Sequence, residues 1–172
     1  MFLKFLKNFL LKRKLKKSLS NVKNNFDGNS ISSVGILIDE SYFDAREAFV
    51  AELVNNGISR DHVTVLAYRD RIRKNEVFDY PVFSLKDIDW DAHFHSDAVT
   101  NFISQNFDLL ISYYDIEKAP LLLVTQRSKA SFKAGFSTID KRLNHFMITT
   151  VAESYQVFIS ELFKYLKILN KI

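Results

Sequence analysis

Cysteine is absent from this 172-residue chain, which removes disulfides, zinc–thiolate centres, iron–sulfur clusters and thiol nucleophiles together. Four glycines and two prolines leave little chain for long irregular loops, so most residues are expected in regular elements. No run of 18 or more uninterrupted apolar residues occurs, so no transmembrane helix is expected. The start reads poorly as a signal peptide: its charges fall inside and after the apolar stretch, and no A-x-A-like site follows. Neither G-x-G-x-x-G nor G-x-x-x-x-G-K-[ST] is present, so the usual phosphate cradles are missing. The first 23 residues contain no acidic side chain at all.

What those 23 residues do contain is eight positive charges: Lys4, Lys7, Lys12, Arg13, Lys14, Lys16, Lys17 and Lys23. The remaining 149 residues hold 16 basic and 20 acidic groups, so the body is −4 while the whole chain is +4. The basic character belongs to an arm, and a basic arm on a mildly acidic body points to a polyanionic partner. At 47% hydrophobic and 14% aromatic, with sixteen Phe against one Trp, the body is expected to bury one core of Phe, Leu, Ile and Val. The Lys, Asn, Ile and Phe bias is compatible with an AT-rich bacterial genome.

At about 100° per residue, Phe2, Leu3, Phe5, Leu6, Phe9 and Leu10 share one helical face, with Lys4, Lys7 and Asn8 opposite. After Leu10 the apolar stripe moves. Leu11, Leu15, Leu19 and Val22 fall on nearly the other side, so one straight helix presents two apolar faces. Residues 2–10 are expected to meet one surface and residues 11–22 another. The partner of residues 1–23 is expected to be an anionic membrane surface or a protein, the chain's own body included, and the charge also allows a nucleic acid. Residues 24–30 read as a linker and 31–172 as a single α/β domain, separable enough that removal of the arm leaves a folded acidic body.

Within that domain the pattern predicts strands at 34–39, 62–68, 81–84, 107–114, 132–136 and 145–149. Helices are expected at 42–56, 96–106, 120–130 and 151–170, with Pro120 in a first turn. Strands alternating with helices imply a mostly parallel, Rossmann-like sheet with helices on both faces. Ligands of such sheets bind beyond the strand carboxyl ends. Here those ends are Asp39-Glu40-Ser41, Tyr68-Arg69-Asp70-Arg71 and Tyr113-Tyr114-Asp115. The ligand-binding candidates are therefore Asp39, Glu40, Ser41, Arg69, Tyr113, Tyr114 and Asp115, set against the plain reading that loop tips are polar because they are wet.

His93 and His95, with Asp91 or Asp97, form the one metal-like spelling, although no metal or other cofactor is expected. Ser96 or Asp97 reads more simply as a helix N-cap. Ser128, Lys129 and Ser131 lack an orienting base, and no complete catalytic motif emerges. Lys129, Lys133, Lys141, Arg127 and Arg142 read instead as an extension of the basic surface.

Residues 107–136, FDLLISYYDIEKAPLLLVTQRSKASFKAGF, are similar to a strand–helix–strand stretch in the N-terminal half of heptosyltransferase-like glycosyltransferases. The positions that carry the likeness are Phe107, Asp108, Leu109, Ile111, Gly135 and Phe136. The resemblance implies a fold. It argues against an intact transferase, since no second domain fits in 172 residues and Asp39-Glu40-Ser41-Tyr42 replaces that family's Gly-Asp turn, placing two carboxylates where a diphosphate would sit. As a whole the chain also looks like members of an uncharacterised bacterial family. The expected function is that of a non-catalytic accessory protein docking through its arm, cytoplasmic or peripheral at the inner membrane face. A small Rossmann-like ligand binder or enzyme and a nucleic-acid-associated factor stay open as alternatives.

Overall fold

A computed structural model of the chain describes residues 2–22 and 30–172. Lys23 and all of the expected linker except Ser30 lie outside the described residues. Helix α1 spans Phe2–Ser18, and the α/β body follows as β1 (Val34–Asp39), α2 (Arg46–Asn55), β2 (Val63–Tyr68), β3 (Val82–Phe83), α3 (Asp97–Ser104), β4 (Leu109–Tyr113), α4 (Ala119–Arg127), β5 (Phe132–Phe136), β6 (Phe146–Ile148) and α5 (Tyr155–Ile168). Short 3-10 turns occupy Arg60–His62 and Leu85–Asp87. The six strands form one all-parallel sheet in the order β3-β2-β1-β4-β5-β6, the order of doubly wound dinucleotide-binding domains.

The central strands β1, β4 and β5 are buried along their whole length. Continuous apolar runs suit them, because helices cover both faces of a parallel sheet. On one face α2 and α5 enclose an aromatic cluster: Phe49 lies 4.4 Å from Tyr113, Tyr113 lies 5.1 Å from Phe136, and Phe136 lies 4.8 Å from Phe158, ring centre to ring centre. On the other, α3 and α4 pack side by side, and Ser112 of β4 meets Thr125 of α4 at 3.1 Å.

Two close approaches set the register of the centre. A Cβ on Gly35 would stand 2.7 Å from the Phe107 ring, and one on Gly135 would stand 2.7 Å from the Asn144 amide. Asp108 accepts bonds from the backbone and hydroxyl groups of both Ser32 and Ser33 at 2.8–3.0 Å, tying the start of β1 to the start of β4. Burial works against the Asp108 charge, but these four donors hold its carboxyl below the ordinary value.

Helix α4 shows why α1 sits where it does. Its residues Ala119 to Thr125 are all buried, so the helix is apolar all round and needs a cover on its outer side as well as a sheet beneath. That cover is α1, which packs on α4 and puts Leu11 and Leu15 into the main core. Arg142 fastens its end, donating through Nη1 to the Lys16 and Leu19 carbonyls at 3.2 Å, while the Val22 N–H donates to the Arg142 carbonyl at 2.9 Å. Helix α1 thus shares the core of the domain, and the expectation that the body folds without it becomes a question of how much that cover contributes.

Candidate functional site

Packing through Leu11 and Leu15 fixes the rotation of α1 and turns the other stripe outward. Phe2, Leu3 and Phe5 are 73%, 67% and 70% exposed, Phe9 and Leu10 are exposed beside them, and Leu6 is half-buried. Over residues 2–10 this apolar surface runs roughly 12 Å along the helix axis. Arg13 and Lys17 continue the same face toward the helix end. Trp90 is half-exposed, with its ring 5.8 Å from the Lys7 ammonium.

The arm's cations divide into two groups. Lys7 donates to the carbonyls of Leu85 and Ile88, and Lys12 and Lys16 reach Glu117 at 3.5 and 2.6 Å. These three hold the helix down. Lys4, Arg13 and Lys17 are exposed and have no ion pair among the described residues, and Lys14 stands 3.8 Å from an equally exposed Asp91. Asn8 contributes as well, since its side-chain oxygen accepts the Ala119 N–H at 2.7 Å and so caps the first turn of α4.

A second feature lies at the strand carboxyl ends, where β1 and β4 lead the chain in opposite directions. Lys118, just before α4, is 8% exposed and reaches Asp39 at 2.6 Å and Asp70 at 2.9 Å, between the rings of Tyr42 and Tyr68. The crevice at the switch between β1 and β4 is thus filled by the chain's own ammonium. Burial, then Asp70 and Asp39, push the Tyr68 hydroxyl well above its ordinary value, so it is a neutral donor to Asp70.

Toward β2 the crevice opens into a cavity of about 740 Å³ lined by Glu40, Ser41, Tyr42, Arg69, Asp70, Arg71, Arg73 and Glu76. Glu40 forms the hub of its floor. The carboxylate is nearly buried and meets Arg46 at 3.1 Å, Arg69 at 3.0 Å and the Tyr80 hydroxyl at 2.8 Å. Arg69 also reaches Glu76 at 3.0 Å. Burial opposes the Arg69 charge, yet its bonds to Glu40 and Tyr80 hold its pKa above the ordinary value. The two carboxylates that replace the Gly-Asp turn are thus each paired with a cation inside the fold.

Of the candidates named from sequence, Glu40, Ser41 and Arg69 line this cavity, and Asp39 lies behind it on Lys118. Tyr113 and Tyr114 do not reach it. Both are buried, the first donating to the Ala152 carbonyl and the second meeting Thr125 at 2.7 Å. Asp115 lines it no more than they do, and its carbonyl accepts from Thr138. Sequence reasoning missed Arg73, Glu76 and Tyr80, which stand in a polar stretch without periodicity, and Lys118, whose only signal was its place one residue before a helix.

His93 and His95 converge on Asp89, at 3.1 and 3.8 Å, and not on Asp91 or Asp97. Among the described residues no three His, Cys, Asp or Glu side chains are grouped to hold a metal ion. Ser96 does occupy the N-cap position of α3 but makes no side-chain cap bond. The basic-surface reading fails for two of its members. Lys133 is buried with its ammonium on the Thr125 carbonyl at 2.7 Å, and Arg142 is paired with Asp140 at 2.7 Å. No nucleophile with an adjacent base and oxyanion donors is brought together in either feature.

Sheet order, crossover helices and a crevice at the strand ends define a Rossmann-like α/β domain with one extra, docked helix. The chain belongs to a family of unknown function, DUF6913, whose pattern matches residues 7–169, from the middle of α1 to the end of α5. No curated protein and no solved structure matches it. The likeness to heptosyltransferase-like glycosyltransferases therefore has no relative behind it. The residues that carried it serve the fold, with Phe107 packed on Gly35, Asp108 clamping Ser32 and Ser33, and Gly135 making room for Asn144.

Proposed function

We propose that this protein is a non-catalytic accessory protein that docks on an anionic membrane surface through the outer face of α1. The observation that carries the reading is the outward display of Phe2, Leu3, Phe5, Phe9 and Leu10 on a helix whose other face is committed to the core. Apolar groups of that kind insert at the headgroup–acyl boundary, and flanking cations add attraction to anionic lipids. Lys4, Arg13, Lys14 and Lys17 supply that charge at about 1 kcal/mol each near such a surface, and the half-exposed Trp90 against Lys7 has the side chain favoured at membrane interfaces. Among the described residues no helix is long and apolar enough to cross a membrane, so attachment would be from one side.

Flotation of the full chain with phosphatidylglycerol-containing vesicles tests the proposal. Binding is expected to weaken with salt, to fall sharply in the Phe5→Ser/Phe9→Ser double variant, and to be poor on neutral phosphatidylcholine. Equal retention of wild type and double variant would sink it. Retention on duplex DNA with no vesicle binding would move the arm's role to nucleic acid.

A further inference from the structure

The cavity beside β2 contains an uneven charge pattern that vesicle docking by α1 does not use. Every carboxylate around it has an internal cation: Asp39 and Asp70 share Lys118, Glu40 has Arg46 and Arg69, and Glu76 has Arg69. Those four carboxylates share three cations, so the two remaining guanidinium groups leave the cavity with one positive charge in excess. Arg71 and Arg73 both line the cavity, both are exposed, and neither has a side-chain ion pair or hydrogen bond among the described residues.

Their loop is held in shape, because Glu76 accepts the Arg73 N–H at 3.0 Å while gripping Arg69. Ser41 accepts the Asp70 N–H at 2.9 Å, which leaves its own O–H to donate into the space. Tyr42 stands at the rim with its ring 71% exposed. Guanidinium forks match the oxygens of phosphate, and a phosphomonoester near neutral pH carries between one and two negative charges, enough to balance that single excess charge. The volume suits a small organic molecule.

We propose that this crevice binds a phosphomonoester, its phosphate held by Arg71, Arg73 and the Ser41 hydroxyl. The phosphate could come from two sources, a soluble metabolite or a lipid headgroup, since the exposed end of α1 lies near this edge of the sheet: Lys4, Lys7 and Asp70 line one shallow depression next to the crevice. Calorimetric titration of the full chain with glycerol 3-phosphate and with AMP, using glycerol as the phosphate-free control, tests the soluble source. Binding to phosphatidic acid vesicles tests the headgroup.

The expected result is saturable binding in one arm that weakens at least about tenfold, or about 1.4 kcal/mol, in Arg71→Ala/Arg73→Ala. It should persist in Lys129→Ala/Lys141→Ala, which loses the same charge from exposed sites outside the cavity. Neither pair has side-chain partners among the described residues, so melting temperatures should match. Absence of binding in both arms, or equal weakening in the two double variants, overturns the proposal. The outcome is separable from membrane docking: glycerol 3-phosphate binding by Phe5→Ser/Phe9→Ser supports the crevice whether or not vesicles are bound.

Discussion

Lys133 enters the core from β5 with a positive charge and no carboxylate to meet it. Its ammonium bonds the Thr125 carbonyl in the last turn of α4, where a cation suits the helix end, but burial pulls its pKa down to about 8. The unfolded chain therefore holds an extra proton between about 8 and the ordinary lysine value near 10.4, and stability should rise with pH across that window. Above about 10 the trend should reverse, because burial raises the Tyr68, Tyr113 and Tyr114 hydroxyls and the unfolded chain releases those protons first. Urea midpoints between pH 7.5 and 9.5 (roughly the lower part of that window) should climb in the wild type and stay level in Lys133→Met. On the acid side, the bonds from Arg142 hold Asp140 down to about 2, so its contribution is present above the ordinary Asp value near 3.9 and fades below it. Asp140→Asn should be less stable at neutral pH and lose less between about pH 4 and 2. Gly35→Ala, which forces a Cβ against Phe107, should cost about 1–3 kcal/mol by denaturant titration.

At the scale of elements, the two leucines of α1 that face α4 carry the clearest expectation. Leu11→Ala and Leu15→Ala, at 2% and 3% exposure, should each cost about 2–5 kcal/mol, as should Leu110→Ala in β4. Phe5→Ser and Phe9→Ser should stay within about 0.5 kcal/mol of wild type, since their rings face outward. Strand positions were readable from apolar runs to within a residue or two. Helix starts were less so: the expected helix at 42–56 begins only at Arg46, because the turn before it is tied to β2, the Glu40 N–H donating to the Tyr68 carbonyl and Ser41 accepting from Asp70. The last helix begins at Tyr155 and not near 151 for a similar reason, as the Ser154 N–H closes a turn on Val151 and Tyr113 holds the Ala152 carbonyl. In both delays a bond to a distant strand or its end takes part, Tyr68 and Asp70 at the first and Tyr113 at the second, and periodicity does not report such bonds.

For the whole molecule, α1 serves as wall and as display at once. Removing residues 1–22 should expose the outer side of α4, lower the melting temperature and promote aggregation. A truncated chain that melts like the full one would show that α4 needs no cover. Amino-acid order alone determined the α/β class, the parallel sheet, the strand positions and the split of charge between arm and body, because alternation, turn chemistry and charge counts are local properties of a chain. Two facing stripes on one helix were also visible there, but which stripe the body would claim was not, since that depends on the apolar outer side of α4 lying within reach. The site was decided in the same way. Asp39 and Glu40 read as free carboxylates until Lys118, Arg46 and Arg69 came beside them, and Tyr113 and Tyr114 read as strand-end aromatics until the pleat turned them into the core. Burial and ion pairing are settled by neighbours brought from distant parts of the chain, and only the folded sheet supplies those neighbours.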